Sequence, residues 1–118
     1  MVVRIFLMLI LTYAHPVIAD WVEINGLDRS EQWKLPPQSA GKNKFLWQRY
    51  TIKQGVEELQ ITEIRKYDCY GLKYNVIQAQ GITNTGEKIS LPLSSTWYRI
   101  KRDSDYHRLL IANGVCPN

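Results

Sequence analysis

Two cysteines constrain this 118-residue chain more than any other feature: Cys69, in the stretch KYDCYGLKY, and Cys116, two residues from the C-terminus. Each is the other's only possible cysteine partner, so a bridge between them would bring the end of the chain back to its middle. Whether they join depends on the compartment. The N-terminus MVVRIFLMLILTYAHPVIAD carries one positive charge at Arg4, an unbroken apolar run from Ile5 to Leu11, and Val17-Ile18-Ala19 before Asp20. That is the layout of a secretory signal peptide over residues 1–19, with cleavage expected after Ala19. A spanning helix needs roughly 18 or more apolar residues in succession, whereas this run soon meets Thr12, His15 and Pro16. Asp20 stands where a lipoprotein would carry its acylated cysteine, so no lipid or other stable membrane anchor is expected.

Residues 20–118 then form a single domain, small enough that a cross-link contributes usefully to its stability. Loss of Arg4 lowers the net charge from +4 to +3. Such a charge permits attraction to acidic surfaces without demanding it. Export to the periplasm or beyond is an oxidising setting, where two cysteines pair more readily than they persist as thiols. Two other readings of Cys69 stand beside the bridge. A reactive thiol would require a neighbour that lowers its pKa. A zinc site would need more ligands than two cysteines and His107 supply. A bridge would close a loop of about 48 residues, worth on the order of 4 kcal/mol in the chain-entropy model.

The pattern along residues 20–118 is mostly alternating. Trp21-Val22-Glu23-Ile24 reads as a short strand ending at the turn Asn25-Gly26. PPQSAGKNK, residues 36–44, has loop composition with no apolar face to bury. KFLWQRYTI, from Lys44, has the aromatic and β-branched content of a strand, with Gln54-Gly55 as the next turn. In EELQITEIRKYD, Leu59 and Ile61 alternate while Ile64 falls out of phase, which predicts a strand with a bulge near Glu63. After Tyr70-Gly71, LKYNVIQAQGI predicts a strand with Leu72, Tyr74 and Val76 on one face and Ile77 and Ala79 on the other. Asn84-Thr85-Gly86 turns the chain into a short strand, EKISL. The period changes at the end. Tyr106, Leu109, Leu110 and Val115 recur at helical spacing, with Ser104 or Asp105 placed to cap the helix and Gly114 to end it. The fold class expected is α+β: an antiparallel meander with a C-terminal helix packed on it and tied by one disulfide.

These pieces in this order resemble the surface-adhesin protein E-like domain of bacterial exported proteins. The resemblance is carried by the opening strand DWVEI, by Tyr67-Asp68-Cys69, by the aromatic strand LKYNVIQA, by Trp97-Tyr98-Arg99-Ile100 and by HRLLIANGVC, closing on a cysteine. It spans nearly all of residues 20–118. It implies an antiparallel sheet with few helices, a disulfide at Cys69 and Cys116, and a non-enzymatic role. The namesake adhesin binds host extracellular proteins such as vitronectin and laminin. By that likeness the partner here is a protein, of host extracellular matrix or serum, and not a nucleic acid. A second reading places the partner in the periplasm, with the chain as inhibitor or accessory subunit of a bacterial protein.

No glycine-rich phosphate loop, paired metal-ligand motif or nucleophile elbow occurs. No cofactor, metal or catalytic residue is therefore assigned. His107, the only histidine after His15, is expected on a solvated helix face. A small secreted hydrolase using carboxylates such as Glu63 and Asp68 is the remaining catalytic reading. Candidate ligand-binding residues are two basic groups, Lys42, Lys44 and Arg49, and Arg99, Lys101 and Arg102, which read first as ordinary solvated charges. Trp21, Trp47 and Trp97 are expected in the core. Trp33, in the polar stretch SEQWK, is the tryptophan expected to be exposed and is the seventh candidate.

Overall fold

The computed structural model describes residues 20–118; the signal-peptide reading lies outside them. Seven strands form one antiparallel sheet: β1 (Asp20–Ile24), β2 (Glu31–Ala40), β3 (Asn43–Gln54), β4 (Glu57–Asp68), β5 (Lys73–Thr83), β6 (Lys88–Ser90) and β7 (Trp97–Arg99). The first six run as a meander, and β7 returns to pair with β5. The one helix among the described residues, α1 (Asp105–Ala112), follows β7. The molecule is thus mostly sheet, and α+β describes it only loosely. Among the described residues no helix is long and apolar enough to cross a membrane.

Two strand assignments differ from expectation. Residues 36–40 continue β2 rather than forming a loop, and the chain reverses only at Gly41-Lys42, between the paired residues Ala40 and Asn43. Pro36 and Pro37 fall where the β2–β3 register skips from Lys34 to Gln38, a gap that suits residues unable to donate to the ladder. The bulge lies on β5: Ile64 pairs Gln78 and Arg65 pairs Val76, leaving Ile77 extra. That extra residue returns Ala79 to the face of Val76, where unbroken alternation had put them on opposite sides. Strand β4 itself alternates without fault, turning Leu59, Ile61, Glu63, Arg65 and Tyr67 to one face. Its apparent break is an inward Glu-Arg pair.

That inner face carries the core. Ile24, Trp33, Leu46 and Tyr67 from the sheet meet Ile100, Leu110, Val115 and Cys116 from the C-terminal segment. The Ser104 side chain caps α1 by accepting the His107 N–H at 3.2 Å. At the other end Gly114, at φ +76°, lets the Val115 N–H reach the Leu110 carbonyl at 2.8 Å and its own N–H reach that of Ile111 at 3.1 Å. This is the paired closure that favours glycine just past a helix. Leu110 and Val115, both fully buried, supply its hydrophobic contact. The closure delivers Cys116 to Cys69, and the two are bridged, with Cα atoms 5.6 Å apart. His107 is buried, not solvated, and its Nδ1 accepts the Asp103 N–H at 3.0 Å.

Polar side chains between sheet and helix form a closed circuit. Trp33 Nε1 and Gln48 Nε2 donate to Glu31 Oε1 at 3.0 and 2.6 Å. With its amide nitrogen so engaged, Gln48 presents Oε1 to the Tyr67 hydroxyl. Tyr67 in turn meets the hydroxyl of Tyr106, which accepts from Arg65 Nη1 at 3.0 Å. A single proton order satisfies this chain: Arg65 to Tyr106, Tyr106 to Tyr67, Tyr67 to Gln48, Gln48 to Glu31. On its other side Arg65 Nε donates to Glu63 Oε2 at 2.7 Å, and Glu63 accepts from Tyr50. Arg29 closes the circuit, stacked 3.4 Å from the Tyr50 ring centre with its Nε 3.4 Å from Glu31. Among the described residues no buried side-chain nitrogen or oxygen lacks a partner, the condition under which a buried polar network is tolerated.

The circuit sets a titration. Burial holds Tyr67 well above its ordinary value. Burial, with the hydrogen bond to Glu63, pushes Tyr50 up to about 12. An unfolded tyrosine ionises near pH 10, so above that pH the unfolded chain releases protons the folded one keeps. Stability is therefore full below about pH 10 and falls as pH rises toward and through about 12. Melting temperatures measured up that range should decline, and Tyr50→Phe should flatten the decline. A profile with no slope above about pH 10 would contradict the assignment.

Candidate functional site

Pairing register divides the strand residues between two faces, since directly paired residues share one. None of those facing away from α1 is buried. Yet this outer face carries Trp21, Phe45, Trp47, Ile64, Ile82 and Trp97, a heavy aromatic load for a solvated surface. Trp47 and Trp97 are 36% and 41% exposed. One cross-strand row reads Trp21, Lys34, Trp47, Ile64 along β1 to β4. The row beside it reads Glu23, Gln32, Arg49, Thr62. On the opposite flank of that first row, Phe45 pairs Lys66, Lys66 pairs Asn75 and Asn75 pairs Trp97.

Cations and indoles interleave here. The Arg49 guanidinium lies 4.1 Å from the Trp21 ring centre, and its Nε donates to Gln32. Lys34 Nζ sits 5.1 Å from Trp47 and 6.0 Å from Trp21. Lys73 and Lys66 approach Trp97 at 5.1 and 5.9 Å. Contacts within about 6 Å of a ring centre are attractive by the ring quadrupole. They hold each ammonium or guanidinium over an apolar shelf without neutralising it. The acids on this face are occupied locally: Glu23 accepts from Ser30, Asp68 from the Gly71 N–H, and Glu58 lies 3.7 Å from Lys53. By register Lys34, Arg49, Lys53, Lys66 and Lys73 outnumber Glu23, Glu58 and Asp68 here, so the face is net basic. It can receive carboxylates or other anions while covering apolar area around them.

The candidates from sequence do not gather in one place. Lys42 occupies the β2–β3 turn, and Lys44 beside it donates to Ser39 at 2.7 Å. Arg49 belongs to the outer face. Lys101 lines a cleft on the other side, with Arg29 and Arg65; Arg99 borders that cleft but is paired with Lys73 of the outer face. Arg102 borders a separate recess beside His107 and Cys69. The tryptophan expectation is reversed: Trp33 is wholly buried, while Trp47 and Trp97 are exposed and Trp21 is half-buried. The polar flanks of Trp33 misled because one of them, Glu31, turns inward with it and accepts its indole N–H. Lys34, Lys66 and Lys73 were missed, although the spacing Phe45, Trp47, Arg49 signals an aromatic and basic side of one strand. Among the described residues no group of three or more histidine, cysteine, aspartate or glutamate side chains is placed to hold a metal ion. Set beside protein-family models, curated proteins and solved structures, the chain matches none of them.

Proposed function

We propose that the protein is exported and works by binding another protein, without catalysis, through the outer face of the sheet. The observation that carries this is the interleaving of exposed tryptophans with cations on a face that nothing among the described residues covers. Charge complementarity favours an acidic protein surface. Stacking of sugars or bases needs free indole faces, whereas Arg49, Lys34, Lys66 and Lys73 lie over those of Trp21, Trp47 and Trp97. Tryptophan and arginine are also the residues over-represented among those that dominate protein interfaces. The likeness of DWVEI, Tyr67-Asp68-Cys69 and HRLLIANGVC to the protein E-like adhesins points the same way, toward a host extracellular or serum protein.

The test is retention of purified oxidised protein on immobilised host matrix and serum proteins, with periplasmic extract run in parallel. Binding to an acidic host protein should weaken with salt. It should fall roughly thirty-fold or more in Trp97→Ala and in the pair Lys34→Glu with Lys66→Glu, with melting temperatures unchanged. Retention only from periplasmic extract would move the partner into the bacterium. Retention unaffected by these substitutions, competition by nucleic acid, or turnover of a substrate lost in His107→Ala would overturn the reading.

A further inference from the structure

The opposite face of the sheet holds a second feature, separate from the surface just described. Between the β1–β2 connection and the segment leading into α1 lies a cleft of about 390 Å³, within the size range of small-molecule sites. Leu27, Ile100 and Tyr74 give it apolar lining, and Arg65, Lys101 and Ser104 give it polar lining. Arg65 is 6% exposed. Its guanidinium lies 4.6 Å from the Tyr74 ring centre, bonded through Nε to Glu63 and through Nη1 to Tyr106. A guanidinium has five N–H donors, and these contacts use two. Among the described residues Nη2 has no hydrogen-bond partner, and no buried side-chain nitrogen there lacks one. Nη2 is therefore not completely buried, and Arg65 is one of the residues that border this cleft.

We propose that the cleft binds a small organic carboxylate, its oxygens received by Arg65 and Lys101 and its apolar part lodged between Leu27, Ile100 and Tyr74. Three cations line the cleft, Arg29, Arg65 and Lys101, against two acids, Asp28 and Glu31, while Arg99 borders it from a strand position whose pairing with Lys73 puts it on the outer face. A guanidinium with donors to spare and fixed by stacking matches the fork of a carboxylate. The two acids make a singly charged ligand a better match than a phosphate dianion. Arg29 is engaged with Tyr50 and Glu31, so Arg65 and Lys101 receive the charge.

Benzoate is a suitable probe, with benzamide and inorganic phosphate as comparisons, followed by nuclear magnetic resonance of the arginine Nε–H signals in the purified oxidised protein. A saturable shift of the Arg65 signal with benzoate, absent with benzamide, is the expected result. Lys101→Ala should weaken binding about five-fold and Lys101→Arg should restore it, while Lys34→Ala on the outer face should leave it unchanged. Equal shifts with benzamide, a stronger response to phosphate than to benzoate, no saturation, or indifference to Lys101→Ala would each overturn the proposal. None of these results bears on partner binding by the outer face, so the two sites stand or fall separately.

Discussion

Arg65→Ala is expected to destabilise the protein by about 3–5 kcal/mol, the usual consequence of removing one member of a buried ion pair. The cause would not be lost attraction alone. Glu63 is 8% exposed and faces Arg65 at 2.7 Å, so alanine leaves a carboxylate with Tyr50 as its remaining side-chain donor. Tyr106 loses its donor at the same stroke, and the proton order running to Glu31 loses its source. The double variant Glu63→Gln with Arg65→Met separates these effects. It removes both charges, keeps an acceptor for Tyr50 and fills the volume of the arginine stem. It should recover most of the loss, because replacing a buried pair by neutral groups is often nearly neutral. Urea unfolding of the three proteins decides the matter. A loss under about 1 kcal/mol for Arg65→Ala, or a double variant no better than the single one, would show that the pair is not the source.

Reduction of the Cys69–Cys116 bridge should lower stability by about 2–4 kcal/mol, with Cys69→Ser plus Cys116→Ser giving the same result without reductant. The cross-link spans 47 residues of sequence. Most of the effect is expected to come from freeing the unfolded chain. The folded state also depends on it locally, because little of α1 is longer than its two caps and only His107 and Leu110 of the helix itself are buried. For a domain near 100 residues such a loss lowers the melting temperature by roughly 10–25 °C. Melts with and without dithiothreitol measure it directly. Identical curves would mean that core contacts alone hold the C-terminal segment.

The parts of the fold legible in the sequence were those written locally. Gln54-Gly55 and Asn84-Thr85-Gly86 mark reversals by their own chemistry, so the meander could be read from its turns. Ser104 and Gly114 bracket a helix by capping chemistry that acts within a few residues. The bridge followed from there being two cysteines and no other pairing. What escaped was set across strands. Glu63 and Arg65 read as a break in β4 because two adjacent inward positions were charged, and nothing nearby in sequence announces that Tyr50 and Tyr106 complete them. Trp33 and Trp47 were exchanged between core and surface for the same reason. Whether a tryptophan faces in or out depends on register, and its local neighbours carry little of that information. The outer-face cations come from four different strands, while the two basic groups conspicuous in the sequence are scattered by the fold over a turn, the outer face, a cleft and a recess.

The directed chain from Arg65 to Glu31 also bears on how such a protein can drift. Each hydroxyl or amide in it takes a proton from one neighbour and gives one to the next, so no member can exchange donor for acceptor alone. Positions 31, 48, 65, 67 and 106, spread from the second strand to the helix, would vary in concert: a neutral residue at 31 invites a change at 48, and a lost donor at 65 is tolerable only with a partner change at 63. Substitutions there should enter a lineage as matched sets, while the face on the other side of the sheet, whose members meet through separate surface contacts and not through one directed chain, is freer to change one residue at a time.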